Sequence, residues 1–144
     1  MKRKIVALVA ALLLSLVATS ICYAQQTVLA VNIPFAFQVG NHTLPAGEYV
    51  VQSCPTGTEN MQLIRRIGGD ASMFLLSIAV DSKAGKSEPQ LIFNRYGQSY
   101  FLAQIWTGAS QGRQLSKSDR EKEVAREEGK TEVALLIHPL SVRP

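Results

Sequence analysis

The residue types best suited to catalysis or metal binding are rare in this chain, which has two histidines and two cysteines. Beyond the N-terminal segment they are His42, Cys54 and His138. A histidine beside a cysteine or serine could activate a nucleophile, and the three side chains together could hold a metal ion. Their spacing matches neither C-x-x-C nor H-E-x-x-H, and the chain has no G-x-S-x-G. We therefore predict no catalytic residue, no metal site and no cofactor, and expect a protein that is not an enzyme.

The best candidates for a binding site are Arg95, Tyr96, Tyr100 and Trp106. Arginine, tyrosine and tryptophan carry much of the binding energy at protein interfaces. An aromatic face with asparagine and glutamine nearby could also stack against a sugar ring. The alternative is cross-strand packing in which Arg95 lies over Tyr100. The sequence leaves both interpretations open.

A charged segment, SKSDREKEVAREEGK, predicts a helix over residues 119–128. Ser118 and Glu121 fit a capping box at its start, and Gly129 fits a C-terminal cap. Its mixed charges and small apolar content predict a solvated face held by weak pairs within the helix. A docking surface for a charged partner is the alternative.

These residues must be positioned by β-strands, because apolar and polar residues alternate with a period of two over residues 31–39. A corner at residues 44–47 leads to a second strand, and turns at residues 68–70 and 97–98 indicate two hairpins. The run ASMFLLSIAV is apolar on both faces, which predicts a central strand. A glycine-rich connection is predicted at residues 108–112. The pattern is typical of a mainly β protein: a small antiparallel β-sandwich or open barrel of six to seven strands, with one charged α-helix before the last strand.

The N-terminus has the features of a secretory signal peptide. Three basic residues precede an apolar run at residues 5–17, and Cys22 and Ala24 are the small residues expected before the cleavage site. The run is shorter than the roughly 20 residues that span a bilayer, which favours cleavage after Ala24 over a membrane anchor. We expect a single exported domain at residues 25–144, periplasmic or extracellular, with no stable membrane span after cleavage.

Removal of residues 1–24 also changes the charge and the cysteine count. The chain has 15 Lys+Arg and 11 Asp+Glu; three of the basic residues leave with the signal, so residues 25–144 are nearly neutral. No basic surface suited to nucleic acid is expected. Cys54 becomes the single thiol, which excludes an internal disulfide and leaves either a buried thiol or an intermolecular bridge. The sequence does not decide the oligomeric state.

Three motifs occur in order along the chain: I-P-F-x-F-x-V-G at residues 33–40, L-P-A-G-x-Y-x-V at 44–51 and F-x-R-Y-G-x-x-Y-F-L-x-x-I-W at 93–106. In this the chain resembles a group of short exported bacterial proteins to which no activity is assigned. The P-A-G-x-Y-x-V piece is also similar to corners in sandwich domains of the carboxypeptidase-regulatory type. The resemblance implies a fold and carries no activity.

The sequence therefore predicts an exported, non-enzymatic β-domain that binds a protein or a glycan in the cell envelope. The alternative is a small periplasmic hydrolase, or a metal- or ligand-binding protein, whose site is assembled only in the fold.

Overall fold

The computed structural model describes residues 1–7, 9, 28–54, 60–82, 88–108 and 111–139. Within these ranges the protein is mainly β, as predicted, with ten strands of three residues or more and a two-residue segment, β11. The strands are β1 (Val28–Ile33), β2 (Phe37–Val39), β3 (His42–Leu44), β4 (Gly47–Ser53), β5 (Met61–Arg66), β6 (Ser72–Asp81), β7 (Gln90–Tyr96), β8 (Ser99–Trp106), β9 (Gln111–Leu115), β10 (Lys130–Leu136) and β11 (His138–Pro139).

The prediction of six to seven strands is wrong, and two local causes account for most of the difference. The stretch predicted as one strand over residues 31–39 is divided into β1 and β2 around Pro34. Proline has no backbone N–H to donate to a ladder, so the pairing is interrupted there. The second cause is β9, which begins at Gln111 within the segment predicted as a connection.

The strands form one open sheet in the order β10-β7-β8-β9-β6-β5-β4-β1-β11. The described pairings are antiparallel, except for one parallel pairing of β2 with β8. Strand β2 also pairs with β3, and that pairing is antiparallel. Strand β6 pairs with β5 through its first half and with β9 through its second half. It therefore joins two halves of the sheet, one containing β1, β4 and β5 and the other containing β7, β8 and β9. The end strands β10 and β11 are separated in the chain only by Ile137, whose N–H donates to the oxygen of Pro89 at 2.9 Å.

The inner face of the sheet encloses one apolar core to which both halves contribute. The stretch with the period-two pattern, residues 31–39, contributes to this core, because Ile33, Phe37 and Val39 are all buried. The P-A-G-x-Y corner is fixed by Tyr49, whose buried hydroxyl donates to the backbone oxygen of Pro45 at 2.6 Å. These motif residues therefore build the scaffold. The buried members of the core are Leu29, Val31, Ile33, Phe37, Val39, Leu44, Tyr49, Val51, Ile64, Leu75, Leu91, Phe93, Leu102, Ile105 and Ile137.

The charged helix α1 (Asp119–Glu127) precedes β10, as predicted. The hydroxyl of Ser118 accepts from the N–H of Glu121 at 3.1 Å, so the predicted N-terminal cap is confirmed. The predicted C-terminal cap at Gly129 is wrong. The cap is Glu128, whose extended backbone leads directly into β10 while its N–H still bonds to the oxygen of Val124 at 3.0 Å.

Little of the N-terminal segment is described. Residues 2–7 and residue 9 are helical, whereas the predicted cleavage site at Ala24 lies outside the described residues. In the parts of the chain that the structure covers, no helix has both the length and the apolar character needed to cross a membrane.

Candidate functional site

The outer side of β6 carries a row of exposed apolar side chains. Phe74, Leu76 and Ile78 are 61%, 74% and 58% exposed. Between them, Leu75 and Ser77 are buried on the inner side of the same strand. The alternation follows from the strand geometry, since successive side chains point to opposite faces. An apolar set therefore faces outward on a strand whose inner side already supplies the core.

The neighbouring strand extends this row into a surface. Leu63 of β5 lies opposite Phe74, and Met61 lies opposite Leu76. Both β5 residues are half-buried, and cross-strand partners on one face lie about 5 Å apart at their Cβ atoms. The five side chains Met61, Leu63, Phe74, Leu76 and Ile78 are named here the apolar face.

Polar residues adjoin the apolar face near both of its ends, although along β6 the next outward residue after Ile78 is the half-buried Val80. Ser72 lies opposite Arg65 at one end, and Ile78 lies opposite Gln114 at the other. Arg65, Ser72 and Gln114 are all exposed. An apolar centre with a polar rim is the arrangement found in protein–protein interfaces.

The apolar character of both faces of β6 was visible in the sequence. The prediction that residues 71–80 form a central strand is confirmed, because β6 lies between β5 and β9 in the sheet order. A strand that is apolar on both faces is usually covered on both faces. Here helix α1 lies instead over β7, where Glu121 bonds to Asn94 and Tyr96, and the outer face of β6 stays exposed.

The four side chains predicted as a binding site are separated by the fold. Tyr96 and Trp106 are buried, at 2% and 4% exposure. Tyr100 is half-buried and stacks on Phe35 with ring centroids 3.8 Å apart. Arg95 lies 5.4 Å from the centroid of the Tyr100 ring, and its Nε donates to the oxygen of Gly97 at 2.8 Å. The cross-strand packing alternative describes this hairpin, and the four residues do not share an exposed face.

A β-bulge interrupts the alternation of the two faces along β8. Ile92 pairs with Gln104 but Phe93 pairs with Leu102, so Ala103 is an extra residue in the ladder. An extra residue exchanges the two faces for the rest of the strand. Leu102 therefore joins the core, whereas the Trp106 ring packs on Gly112 of β9, where a Cβ atom would lie 2.7 Å from Cδ2 of the ring.

Helix α1 carries a buried carboxylate that was not predicted from the sequence. Glu121 is 4% exposed, and its Oε1 accepts hydrogen bonds from Nδ2 of Asn94 at 2.8 Å and from the hydroxyl of Tyr96 at 3.2 Å. Burial, and then the Glu121 carboxylate, raise the pKa of the Tyr96 phenol above its usual value. The side chain predicted to complete a capping box fastens the helix to the sheet instead.

The two histidines lie on different strands, and Cys54 lies just beyond the end of a third. His42 is exposed on β3, and the backbone of His138 pairs with Ala30. Cys54 is half-buried beyond the end of β4, and its N–H donates to the oxygen of Met61 at 3.0 Å. Among the described residues, no group of three or more histidine, cysteine, aspartate or glutamate side chains could hold a metal ion.

Comparison of the chain with family models, with curated proteins and with solved structures gives no match in any of the three. The site is therefore defined by its own geometry. Its main feature is the apolar face on β5 and β6.

Proposed function

We propose that this chain is an exported, non-enzymatic β-domain that binds a protein of the cell envelope through the apolar face. The observation that carries the proposal is the outward exposure of Phe74, Leu76 and Ile78 on one strand. The largest contiguous apolar patch on a monomeric protein is itself about 300–600 Å² and is often a functional site. Burying this surface against a partner removes it from water, at about 25 cal/mol for each Å².

The chemistry of the apolar face favours a protein over a glycan. Sugar rings are bound by flat aromatic faces combined with polar groups that reach the hydroxyls. The apolar face has one aromatic ring, that of Phe74, and its other members are aliphatic or methionine. The aromatic residues that would suit a glycan, Tyr96 and Trp106, are buried.

Two further expectations belong to the same proposal. The positive N-terminus and the apolar run at residues 5–17 support export, with Ala24 as the cleavage site. The finer fold is a sandwich-like arrangement in which the two halves of the sheet share β6. It is supported by the single core cluster, to which β1, β4 and β5 contribute alongside β7 and β8.

The proposal is tested by site-specific photo-crosslinking in the envelope of the producing cell. A photoreactive phenylalanine analogue replaces Phe74 in one variant and Leu136 in another. Leu136 is a suitable control because it is 57% exposed but lies on β10, away from β6. We expect protein adducts from position 74 and not from position 136, and loss of these adducts when Leu76→Arg is added. Equal adducts at the two positions, or adducts insensitive to Leu76→Arg, would overturn the proposal.

A further inference from the structure

We infer that the occupant of the apolar face is a second copy of this chain, which packs its own apolar face against the first in a two-fold dimer. The inference rests on the proposed function, because it identifies the protein that the apolar face binds. Three observations carry it: the area of the surface, its shape and the placement of charge around it.

The area agrees with the apolar part of a dimer interface. A large apolar side chain presents roughly 200 Å² when free, so the exposed fractions of Phe74, Leu76 and Ile78 amount to on the order of 400 Å² per copy. Two copies then bury about 800 Å² of apolar surface between them. A standard interface buries about 1,600 Å² in total, a little over half of it apolar. The polar rim supplies the remaining part.

The shape of the apolar face fits a copy of itself. The three exposed side chains stand two residues apart on a paired strand, with a repeat of about 7 Å. A second copy presents the same repeat, so the two rows can interdigitate as the inner faces of two packed sheets do. A two-fold axis near Leu76, with the two β6 strands antiparallel, places Phe74 of each copy against Ile78 of the other. A large ring then meets a smaller aliphatic side chain at both ends of the row.

The charges around the apolar face favour the antiparallel arrangement. Arg65 lies opposite Ser72, four residues from Leu76 along β6. In the antiparallel dimer the two Arg65 side chains lie at opposite ends of the interface, roughly 25 Å apart and well beyond the Debye length of about 8 Å at physiological salt. With the strands parallel, both would lie at the same end. Residues 25–144 are nearly neutral, with 12 basic and 11 acidic residues once the three basic residues at the N-terminus are subtracted from the whole chain, so net charge does not oppose association.

The test is sedimentation equilibrium of the purified protein, as processed by its host, over about 1 to 100 μM, the range of a moderately tight dimer. Reductant is present throughout, so that a disulfide through Cys54 cannot produce the dimer. We expect a reversible dimer. The dissociation constant of the Leu76→Arg dimer should be at least about 100-fold higher than that of the wild type, because two unpaired charges would be buried near the axis. The matched controls Ile67→Arg and Leu136→Arg change exposed apolar residues outside the apolar face and should dimerise like the wild type. Circular dichroism confirms that each variant is folded.

A second measurement locates the axis. In a Cys54→Ser background, Leu76→Cys should form a disulfide-linked dimer on oxidation, whereas Leu136→Cys should not. A wild-type protein that stays monomeric over the whole concentration range would overturn the inference, as would a dimer that Leu76→Arg leaves unchanged. If the protein is monomeric and Leu76→Arg still removes the adducts in the envelope, the second copy is excluded and the proposed function stands. If neither self-association nor the adducts respond to Leu76→Arg, both fail.

Discussion

Two buried tyrosines show how single residues hold this fold. The hydroxyl of Tyr49 donates to the backbone oxygen of Pro45, and that of Tyr96 donates to the carboxylate of Glu121. Burial raises the pKa of both phenols; Arg66 partly offsets the rise at Tyr49, and the charge of Glu121 adds to it at Tyr96. Each phenol is therefore held in its neutral, donating form.

We predict that the free energy of unfolding falls as the pH rises above about 10, the pKa of a free tyrosine. Above that pH the unfolded chain loses these two protons, while the native state keeps them until the pH reaches the raised values. Because the native state then binds more protons than the unfolded state, its stability decreases as the pH rises. The stabilising contribution is complete below pH 10 and is lost through the folded pKa values.

Urea denaturation from about pH 8 to pH 11.5 measures this dependence. The double variant Tyr49→Phe/Tyr96→Phe should lose stability less steeply than the wild type in the alkaline range. Its stability at pH 8 provides the baseline, because the lost hydrogen bonds act at every pH. Parallel curves for the double variant and the wild type would contradict the prediction.

At the scale of single residues, the sequence predicted best what depends on near neighbours. The corner at Pro45 and Tyr49 spans four positions and was predicted as a corner. The orientation of Trp106 was not, because it depends on a bulge at Ala103 and on the missing side chain of Gly112 in another strand. The residue pattern of β8 alone cannot reveal a bulge, because the extra residue is defined only by the pairing with the neighbouring strand.

Helix α1 is attached to the sheet by a polar contact. Its one buried side chain is Glu121, which accepts from Asn94 and Tyr96 of β7. The start of the helix was predictable, because a cap is local to Ser118 and the three residues after it. The burial of Glu121 was not, because its partners precede it by 27 and 25 positions.

We predict that Glu121→Ala lowers the free energy of unfolding by about 1–3 kcal/mol, because it leaves the buried Asn94 amide and the Tyr96 hydroxyl without an acceptor. Glu127 is an exposed glutamate of the same helix, and Glu127→Ala should change the free energy of unfolding by less than about 0.5 kcal/mol. Glu121→Gln keeps an acceptor oxygen and should lose less than Glu121→Ala. Urea denaturation at neutral pH compares the three variants, and equal losses at positions 121 and 127 would refute the helix attachment.

For the whole molecule, the two sides of β6 carry apolar side chains in different environments, one buried and one exposed. The inner side of β6 supplies the core through Leu75, whereas its outer side supplies the apolar face. The sequence predicted a central strand, but which elements would cover that strand depends on the sheet order. That order places β9 and β5 beside β6.

We predict that the triple variant Phe74→Ser/Leu76→Ser/Ile78→Ser unfolds with a free energy within about 1 kcal/mol of the wild-type monomer, because surface substitutions cost little. The single change Leu75→Ser, at a side chain that is 3% exposed, should cost about 3 kcal/mol or more, since it removes core packing and buries a hydroxyl. Thermal and urea denaturation at a concentration low enough to keep the wild type monomeric measure both. A triple variant as unstable as Leu75→Ser would mean that the apolar face is part of the core.

The pairing of β11 with β1 has a consequence for the order of events during synthesis. It joins Leu29 to Pro139, which lie far apart in the sequence. All the strands between β1 and β11 must be synthesised before this ladder can form, whereas the β5–β6 and β7–β8 hairpins need only adjacent residues. The outer edge of β1 therefore stays unpaired until β11 has been synthesised, and an unpaired strand edge can pair with another chain in the meantime.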